Sequence, residues 1–307
     1  MSRTRYTRSS ALALTMAAAS WGLGTVVSKH AVAEIPPVTL LFVQLASSVV
    51  GLGLLMRWRG IALRSHSASP ILGRLGLLNP GLAYALGLLG LAHITASLSV
   101  LLWALEPLMI LVLAAVVLRE RIGLGLVVLS LVAVAGITLV IYQPGGAGSQ
   151  LGVALTLAGV ACCAVYTIIA RQWLGGADST AQVVLSQQVY ALGFGAALLT
   201  IGWALGTSPL SSAVSPLGWA SAVGSGLLYY GLAYWFYLSA LRQMPASSAA
   251  ASFYLIPIFG VAGSLVILGE RLDPMQWLGA ALVLVAVFTV LRRAPNENVE
   301  PAPRPAG

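Results

Sequence analysis

Long apolar runs, separated by short clusters of charged residues, proline and glycine, are the dominant pattern along this chain. A membrane-spanning helix needs about 20 mainly apolar residues, and runs of that length recur almost to the end of the sequence. The separating clusters divide the chain into ten such segments. We predict one helix in each: 10–29, 37–56, 72–92, 96–118, 122–142, 151–171, 180–205, 217–240, 246–268 and 275–292.

The composition agrees with this pattern. Charged residues make up 8% of the chain, whereas soluble domains carry about 25%, and the mean hydropathy is +0.93. A water-facing surface cannot be covered with so few charges, so a soluble enzyme and a disordered protein are excluded. The sequence therefore predicts an all-α integral membrane protein whose main solvent is lipid.

The basic residues predict how the chain is oriented in the membrane. With the N-terminus inside, 14 of the 16 Lys and Arg residues fall on the cytoplasmic side, and only Lys29 and Arg271 fall outside. Such a positive-inside bias predicts a multi-pass protein of a bacterial-type inner membrane with both termini in the cytoplasm. The net charge of +8 is thereby explained without nucleic-acid binding.

The chain also repeats itself at a spacing of 150 residues. Gly-Leu-Ala-Tyr occurs at 81–84 and at 231–234, and the same register pairs Pro107 with Pro257. Five helices per repeat is an odd number, so the second repeat would enter the membrane with the opposite orientation. We predict two inverted five-helix repeats, a design typical of transporters, with boundaries at 1–145 and 146–293 and a disordered cytoplasmic tail at 294–307.

The motifs in these repeats resemble those of a known group of transporters. They are Trp21-Gly22, Glu106-Pro107, and the segment 118–121 (Leu-Arg-Glu-Arg) with its repeat at 268–271 (Leu-Gly-Glu-Arg). Together with the two five-helix halves, they resemble the drug/metabolite transporter superfamily and, within it, the ten-helix EamA-type exporters. The chain looks most similar to aromatic amino acid exporters of the YddG type. The resemblance implies export of amino acids from the cytoplasm by alternating access.

Two other functions stay open at the level of the sequence. The first is efflux of small hydrophobic drugs or metabolites by proton antiport, although residues 10–28 lack the carboxylate that small multidrug antiporters of this superfamily carry in their first helix. The second is a channel-like or sensory membrane protein. We find no catalytic, metal-binding or cofactor-binding motif, and so we predict no enzyme activity, no metal and no cofactor.

Glu106 is the one carboxylate at the centre of a predicted helix. A charge there is costly, by about 2.5–3.5 kcal/mol on insertion scales, so the side chain should face water or the protein interior. It could accept a proton or neutralise a substrate ammonium. A structural residue beside the kink at Pro107 fits the sequence equally well.

Amides and aromatic rings supply the remaining candidates for a substrate-binding site. Buried amides need a partner, and Gln44 and the pair Gln187-Gln188 occupy equivalent places in the two halves, although only one of the pair can face a cavity squarely. Aromatic rings would provide flat walls for an amphipathic solute. The candidates are Trp21, Gln44, Tyr84, Trp103, Glu106, Tyr166, Gln187, Gln188, Tyr230, Tyr234 and Tyr254.

The expected partners follow from this assignment. They are a small-molecule substrate, an amino acid, and the lipid bilayer, without nucleic acid. No strong signal for oligomerisation is present, so we expect a monomer and leave a homodimer open.

Overall fold

The structure is a computed structural model, and it describes residues 8–63, 70–117, 124–141, 149–173, 179–206, 214–241 and 255–293. These residues are helical and contain no β-strand, which confirms the all-α prediction. The helices are α1 (Arg8–Val32), α2 (Pro37–Trp58), α3 (Pro70–Leu91), α4 (Ala96–Trp103), α5 (Glu106–Val117), α6 (Leu124–Ile141), α7 (Gln150–Trp173), α8 (Thr180–Ala204), α9 (216–241), α10 (Leu255–Ile267) and α11 (Pro274–Arg293).

Five described helical stretches are long and apolar enough to cross a membrane, judged by length and composition. They are Ser10–Val32, Pro37–Trp58, Pro70–Leu91, Gln150–Ala170 and Ala181–Ala204. Shorter apolar helices occupy four further regions, at Ala96–Ile110, Val127–Val140, Leu255–Ile267 and Pro274–Ala286. Large apolar side chains on several of these helices point outward, with Val266 84% and Leu124 79% exposed. Exposed apolar area of this extent is expected where lipid replaces water as the solvent.

The fourth predicted segment, 96–118, is not one continuous helix. It divides into α4 and α5 at Ala104 and Leu105, just before Glu106-Pro107. Proline lacks the N–H of a helical hydrogen bond, and its ring clashes with the carbonyl four residues earlier. The chain therefore bends here, in the middle of the apolar run, at the proline where the sequence predicts a kink.

Helices α3 and α9 share an irregularity at matching positions. In α3 the segment Leu78–Leu82 is kinked, with Asn79 in an extended conformation before Pro80, and in α9 the turn Leu227–Leu232 is a π-helix. The Gly-Leu-Ala-Tyr repeats begin within these two segments. Because a kink and a π-turn both leave some carbonyls without their usual partners, both helices need side chains from their neighbours at this level.

The helices of the two halves pack against each other in a reciprocal pattern. Helix α1 packs on α9 and α10 of the second half, and α7 packs on α3 and α5 of the first half. Helix α2 packs on α8, and α6 on α11. The α6–α11 contact is very close at Gly136 and Gly279, where a Cβ atom on Gly136 would lie 2.7 Å from the carbonyl oxygen of Gly279. Small residues that let helix backbones approach are typical of helix pairs in membranes.

Candidate functional site

A cavity lies between α1, α2, α3, α4 and α9. Aromatic rings form one part of its wall, and an amide and small hydroxyl groups form another; none of the lining residues that the structure describes is charged. The lining residues are Thr25, Ser28, Gln44, Tyr84, Gly87, Leu88, Leu91, Ser99, Trp103, Tyr229 and Tyr230.

The aromatic wall is built around Tyr84 of α3. Its ring stacks on Trp103 of α4, with centroids 5.2 Å apart and planes inclined by 21°. Tyr229 and Tyr230, from the π-turn of α9, each meet Tyr84 edge-on at 5.3 Å. Gly87 lies one turn along α3 and leaves room for Trp103, because a Cβ atom at position 87 would be 3.0 Å from Cζ2 of the indole. Stacked and edge-on pairs of this kind hold each other's rings in place.

The polar wall centres on Gln44 of α2, which is 1% exposed. Its Nε2 donates hydrogen bonds to Ser28 Oγ of α1 at 2.8 Å and to Ser225 Oγ of α9 at 2.7 Å. Its Oε1 is buried without a hydrogen-bond partner. Gln44 thus joins three helices through its nitrogen while its acceptor stays unused.

The two neighbouring glutamines of α8 do not line this cavity. Gln187 accepts a hydrogen bond from the hydroxyl of Tyr166 at 2.9 Å and donates to the carbonyl of Leu72 in α3 at 3.1 Å. Gln188 accepts from Ser48 at 2.8 Å and donates to the carbonyl of Tyr230 in the π-turn at 3.2 Å. Both amides therefore supply interhelical hydrogen bonds to irregular helices, in directions that differ as expected for successive helical residues.

A second aromatic group lies beside the cavity. Trp21 of α1 meets Tyr234 edge-on at 5.5 Å and Tyr237 at 5.7 Å. Trp21 and Tyr234 are not among the cavity's lining residues, and Tyr254 lies outside the described residues. The structure therefore brings together Gln44, Tyr84, Trp103 and Tyr230 of the predicted site, and it places Trp21 and Tyr234 next to one another.

Glu106 begins helix α5, three residues after Trp103, and it is not among the lining residues. Its Oε1 accepts a hydrogen bond from the thiol of Cys163 in α7 at 3.1 Å. The carboxyl group thus contacts the helix that lies opposite the bend between α4 and α5. Among the described residues, no group of three or more His, Cys, Asp and Glu side chains could hold a metal ion.

Polar residues at the end of α1 join it to other helices. Lys29 Nζ donates to the carbonyl of Leu91 at 2.9 Å, and Leu91 also lines the cavity. Glu34 accepts from the backbone N–H of Ser215 at 2.7 Å and from its hydroxyl at 2.9 Å. These two bonds, the backbone one foremost, lower the pKa of Glu34. Both residues thus cap neighbouring helices, because Lys29 bonds the last turn of α3 and Glu34 bonds the residue just before α9.

Seven lining residues were absent from the predicted site: Thr25, Ser28, Gly87, Leu88, Leu91, Ser99 and Tyr229. Thr25 and Ser28 are spaced three residues apart in α1, so they share a face. Small hydroxyl residues are common at helix contacts in membranes, and this made them hard to separate from packing residues. Tyr229 directly precedes Tyr230 in a segment rich in aromatic residues, and the sequence did not single it out.

The described helices, with their outward apolar faces and a polar and aromatic cavity between them, define a helical membrane protein. A family model for the EamA-like transporter family matches residues 8–142 and again residues 150–292. The chain belongs to this family, which is one of membrane transporters rather than enzymes, and the predicted drug/metabolite transporter membership is confirmed.

Several relatives support the assignment. An uncharacterized transporter of Archaeoglobus fulgidus is 24% identical over 293 residues, covering 92% of this chain and 98% of that protein. A probable terminal-alkyne amino-acid exporter of Streptantibioticus cattleyicolor is 28% identical over 207 residues, covering 66% of this chain and 67% of that protein. A solved crystal structure, at 18% identity, has a TM-score of 0.64 and covers 94% of this chain and 99% of that one. This last likeness concerns the fold alone.

Proposed function

We propose that this transporter exports amino acids with aromatic and other apolar side chains from the cytoplasm. The observation that carries the proposal is the composition of the cavity wall. The Tyr84–Trp103 stack offers a flat apolar surface, and Gln44 with Ser28 offers polar groups on the other helices. An amphipathic solute needs both kinds of surface.

The described part of the cavity lining carries no charged residue, and this suits a zwitterion. Burying a full charge as a partner for each end of an amino acid would carry a large desolvation cost. Amide and hydroxyl dipoles can meet an ammonium and a carboxylate without it. A carrier of phosphate esters or other anions would instead be expected to place Lys or Arg at the cavity, and Lys29 bonds the end of α3 instead.

The relatives add limited support for this substrate class. The protein from S. cattleyicolor carries the name of an amino-acid exporter. We extend only the amino-acid class to the present chain. The aromatic preference rests on the Tyr84–Trp103 wall and its edge-on neighbours.

The transport mechanism that we propose is alternating access in ten spans arranged as two inverted repeats. The two matches to the family model, the reciprocal packing of the halves and the irregular segments at matching positions of α3 and α9 support it. In inverted-repeat transporters the substrate site lies between the halves, and this cavity is lined by α9 from the second half and by four helices of the first.

Counterflow in liposomes is the decisive experiment. Purified protein is reconstituted, the liposomes are loaded with unlabelled phenylalanine, and uptake of labelled phenylalanine is measured. A carrier shows stimulation by substrate on the opposite side, whereas a channel does not. A proton antiporter of hydrophobic cations would instead respond to a cationic dye and a pH gradient, and it would leave phenylalanine flux at the level of empty liposomes.

Variants of the aromatic residues test the site. We expect Trp103→Ala and Tyr234→Ala to impair phenylalanine counterflow more than Trp219→Ala does. Trp219 is 38% exposed and serves as the matched control, because it lies near the start of α9 and away from the cavity lining. Equal rates for the three variants at matched expression would remove the basis for the site.

Cysteine labelling tests the orientation. In a protein whose native Cys162 and Cys163 are replaced by alanine, Ser149→Cys should react with a membrane-impermeant maleimide from outside intact cells. Leu63→Cys, at the predicted cytoplasmic end of α2, should react only after the cells are opened. Both positions are exposed, so a reversed pattern would show that the termini lie outside.

A further inference from the structure

Gln44 has a fixed amide orientation, and two serines determine it. Ser28 donates its hydroxyl proton to the carbonyl of Gly24 at 2.7 Å, and Ser225 donates its own to the carbonyl of Ala222 at 3.0 Å. With their protons engaged, both hydroxyl oxygens can only accept at the remaining side. They therefore take the two N–H groups of Gln44, and a flipped amide would set its oxygen against two acceptors.

This arrangement leaves the oxygen of Gln44 as an unused acceptor beside the cavity. Gln44 lines the cavity and is 1% exposed. Among the lining residues that the structure describes, its Oε1 is the one buried side-chain polar atom without a hydrogen-bond partner. Leaving such an oxygen buried and unpaired costs free energy. A hydrogen-bond donor on the solute would remove that cost, so the unpaired oxygen of Gln44 can contribute to substrate recognition.

The opposite wall carries hydroxyl groups. Tyr84 and Tyr229, whose rings meet edge-on with centroids 5.3 Å apart, both line it. A tyrosine hydroxyl can donate one proton as well as accept, so this wall can serve the carboxylate of a solute. The amide oxygen of Gln44 cannot, because two acceptors repel. The two ends of a zwitterion are thus distinguished by the chemistry of the two walls.

We propose that Gln44 Oε1 is the acceptor for the ammonium group of the substrate and that Ser28 and Ser225 hold it in this role. The proposal rests on the amino-acid transport proposed above and makes it more specific. The site selects solutes that carry an N–H donor head group, and it discriminates against carboxylic acids of the same shape that lack one.

Competition with two analogues tests this selectivity. In wild-type counterflow of phenylalanine, phenethylamine (an amine without the carboxylate) should compete, and 3-phenylpropionate (the carboxylate without the amine) should compete far less. Gln44→Met keeps the length of the side chain and removes the acceptor. We expect this variant to lower the apparent affinity for phenylalanine and for phenethylamine roughly tenfold to a hundredfold, which is the range for a hydrogen bond to a charged group. The weak inhibition by 3-phenylpropionate should stay as it is in the wild type.

Two further variants separate recognition from folding. Gln188→Met removes another buried amide, one that bonds Ser48 and Tyr230 away from the cavity lining; it should leave the ratio of amine to acid inhibition as in the wild type, whatever its effect on yield. Gln44→Glu retains an acceptor and should retain or increase the preference for the amine. These variants keep the test decisive if Gln44→Met fails to fold.

The outcomes distinguish this inference from the proposed function. If the wild type moves no amino acid, the proposed function fails before Gln44 is tested. If it moves phenylalanine and 3-phenylpropionate competes as well as phenethylamine, or Gln44→Met keeps the wild-type ratio, then amino-acid transport stands and Gln44 is not the ammonium acceptor.

Discussion

Glu270 binds Ser97 through two hydrogen bonds across a separation of 173 residues. The backbone N–H and the hydroxyl of Ser97 both donate to Oε2 of the carboxylate, at 3.0 and 2.6 Å, and the N–H of Ala96 donates to Oε1 at 2.7 Å. Thr95 accepts from the N–H of Leu98 at 3.2 Å. The carboxylate of Glu270 and the hydroxyl of Thr95 thus accept hydrogen bonds from the free N–H groups in the first turn of α4. The same bonds connect the segment between α10 and α11 to the helix that carries Trp103.

The hydrogen bonds that Glu270 accepts predict a loss of stability in Glu270→Gln. The variant keeps one acceptor oxygen but loses the charge that favours a helix N-terminus. We expect the free energy of unfolding to fall by about 1–2 kcal/mol. This value lies in the lower part of the range for hydrogen bonds to charged groups, because Glu270 is partly exposed and water screens its charge. Thermal unfolding in detergent measures it. Arg271→Gln, at an exposed neighbour, is the control, and an equal loss in that variant would contradict the prediction.

The pH dependence of stability should reveal the equivalent bond at Glu34. Ser215 lowers the pKa of this carboxylate below its usual value of 4.5. A lowered folded-state pKa contributes stability that is complete above the unfolded value and disappears as the pH falls through the folded value. The difference in melting temperature between the wild type and Glu34→Gln should therefore be present at pH 7 and shrink below about pH 4.3. A difference that grew on acidification would show that the carboxylate is not stabilised as an anion.

Much of the helical architecture could be predicted because it depends on run length. Segment 37–56, for example, corresponds to α2 at Pro37–Trp58, since a chain in lipid must satisfy its backbone within a helix. Irregular turns were not predictable in the same way. Nothing in the hydropathy of residues 227–232 distinguishes a π-turn from an α-turn, because the difference lies in one backbone hydrogen bond. The kink in residues 78–82, in contrast, falls at Asn79-Pro80, and a residue before proline disfavours the helical conformation.

The sequence predicted the residue types of the candidate site better than it predicted which way each side chain faces. Gln44 and Gln187 occupy similar places in apolar runs, yet Gln44 lines the cavity and Gln187 bonds Tyr166 and Leu72. The rotation of a helix about its axis decides between these roles. For helices without a strong polar face, rotation is set by packing against neighbours, and this information is distributed over the whole chain.

Glu106 should matter less for transport than its position suggests. Its carboxyl group bonds the thiol of Cys163 and is not among the cavity-lining residues. Glu106→Gln retains an oxygen for that thiol, and the side chain keeps its size. We expect downhill phenylalanine flux in liposomes to stay within about twofold of the wild type, since surrounding contacts are conserved. Complete loss of flux in correctly folded protein would instead assign it an essential role in substrate or proton binding.

Gly87 provides the most direct test that the cavity holds the substrate. A side chain at this position would meet Trp103 Cζ2 at 3.0 Å and push the indole out of its stack with Tyr84. In Gly87→Val we expect phenylalanine counterflow to fall by roughly tenfold or more, as overpacking by about 1–3 kcal/mol implies. Alanine counterflow, if the wild type supports it, should fall less, because a small side chain needs less of the aromatic wall.

Gly193→Val is the matched control for this variant. Gly193 lies on α8, and no heavy atom lies within 4 Å of the place that a Cβ atom would take there, so the same change of side chain should leave both rates near those of the wild type. Because valine is a better helix former than glycine, neither variant should lose its helix. If Gly87→Val transported phenylalanine as fast as Gly193→Val, the substrate would have to cross by a path that avoids the space between Gly87 and Trp103.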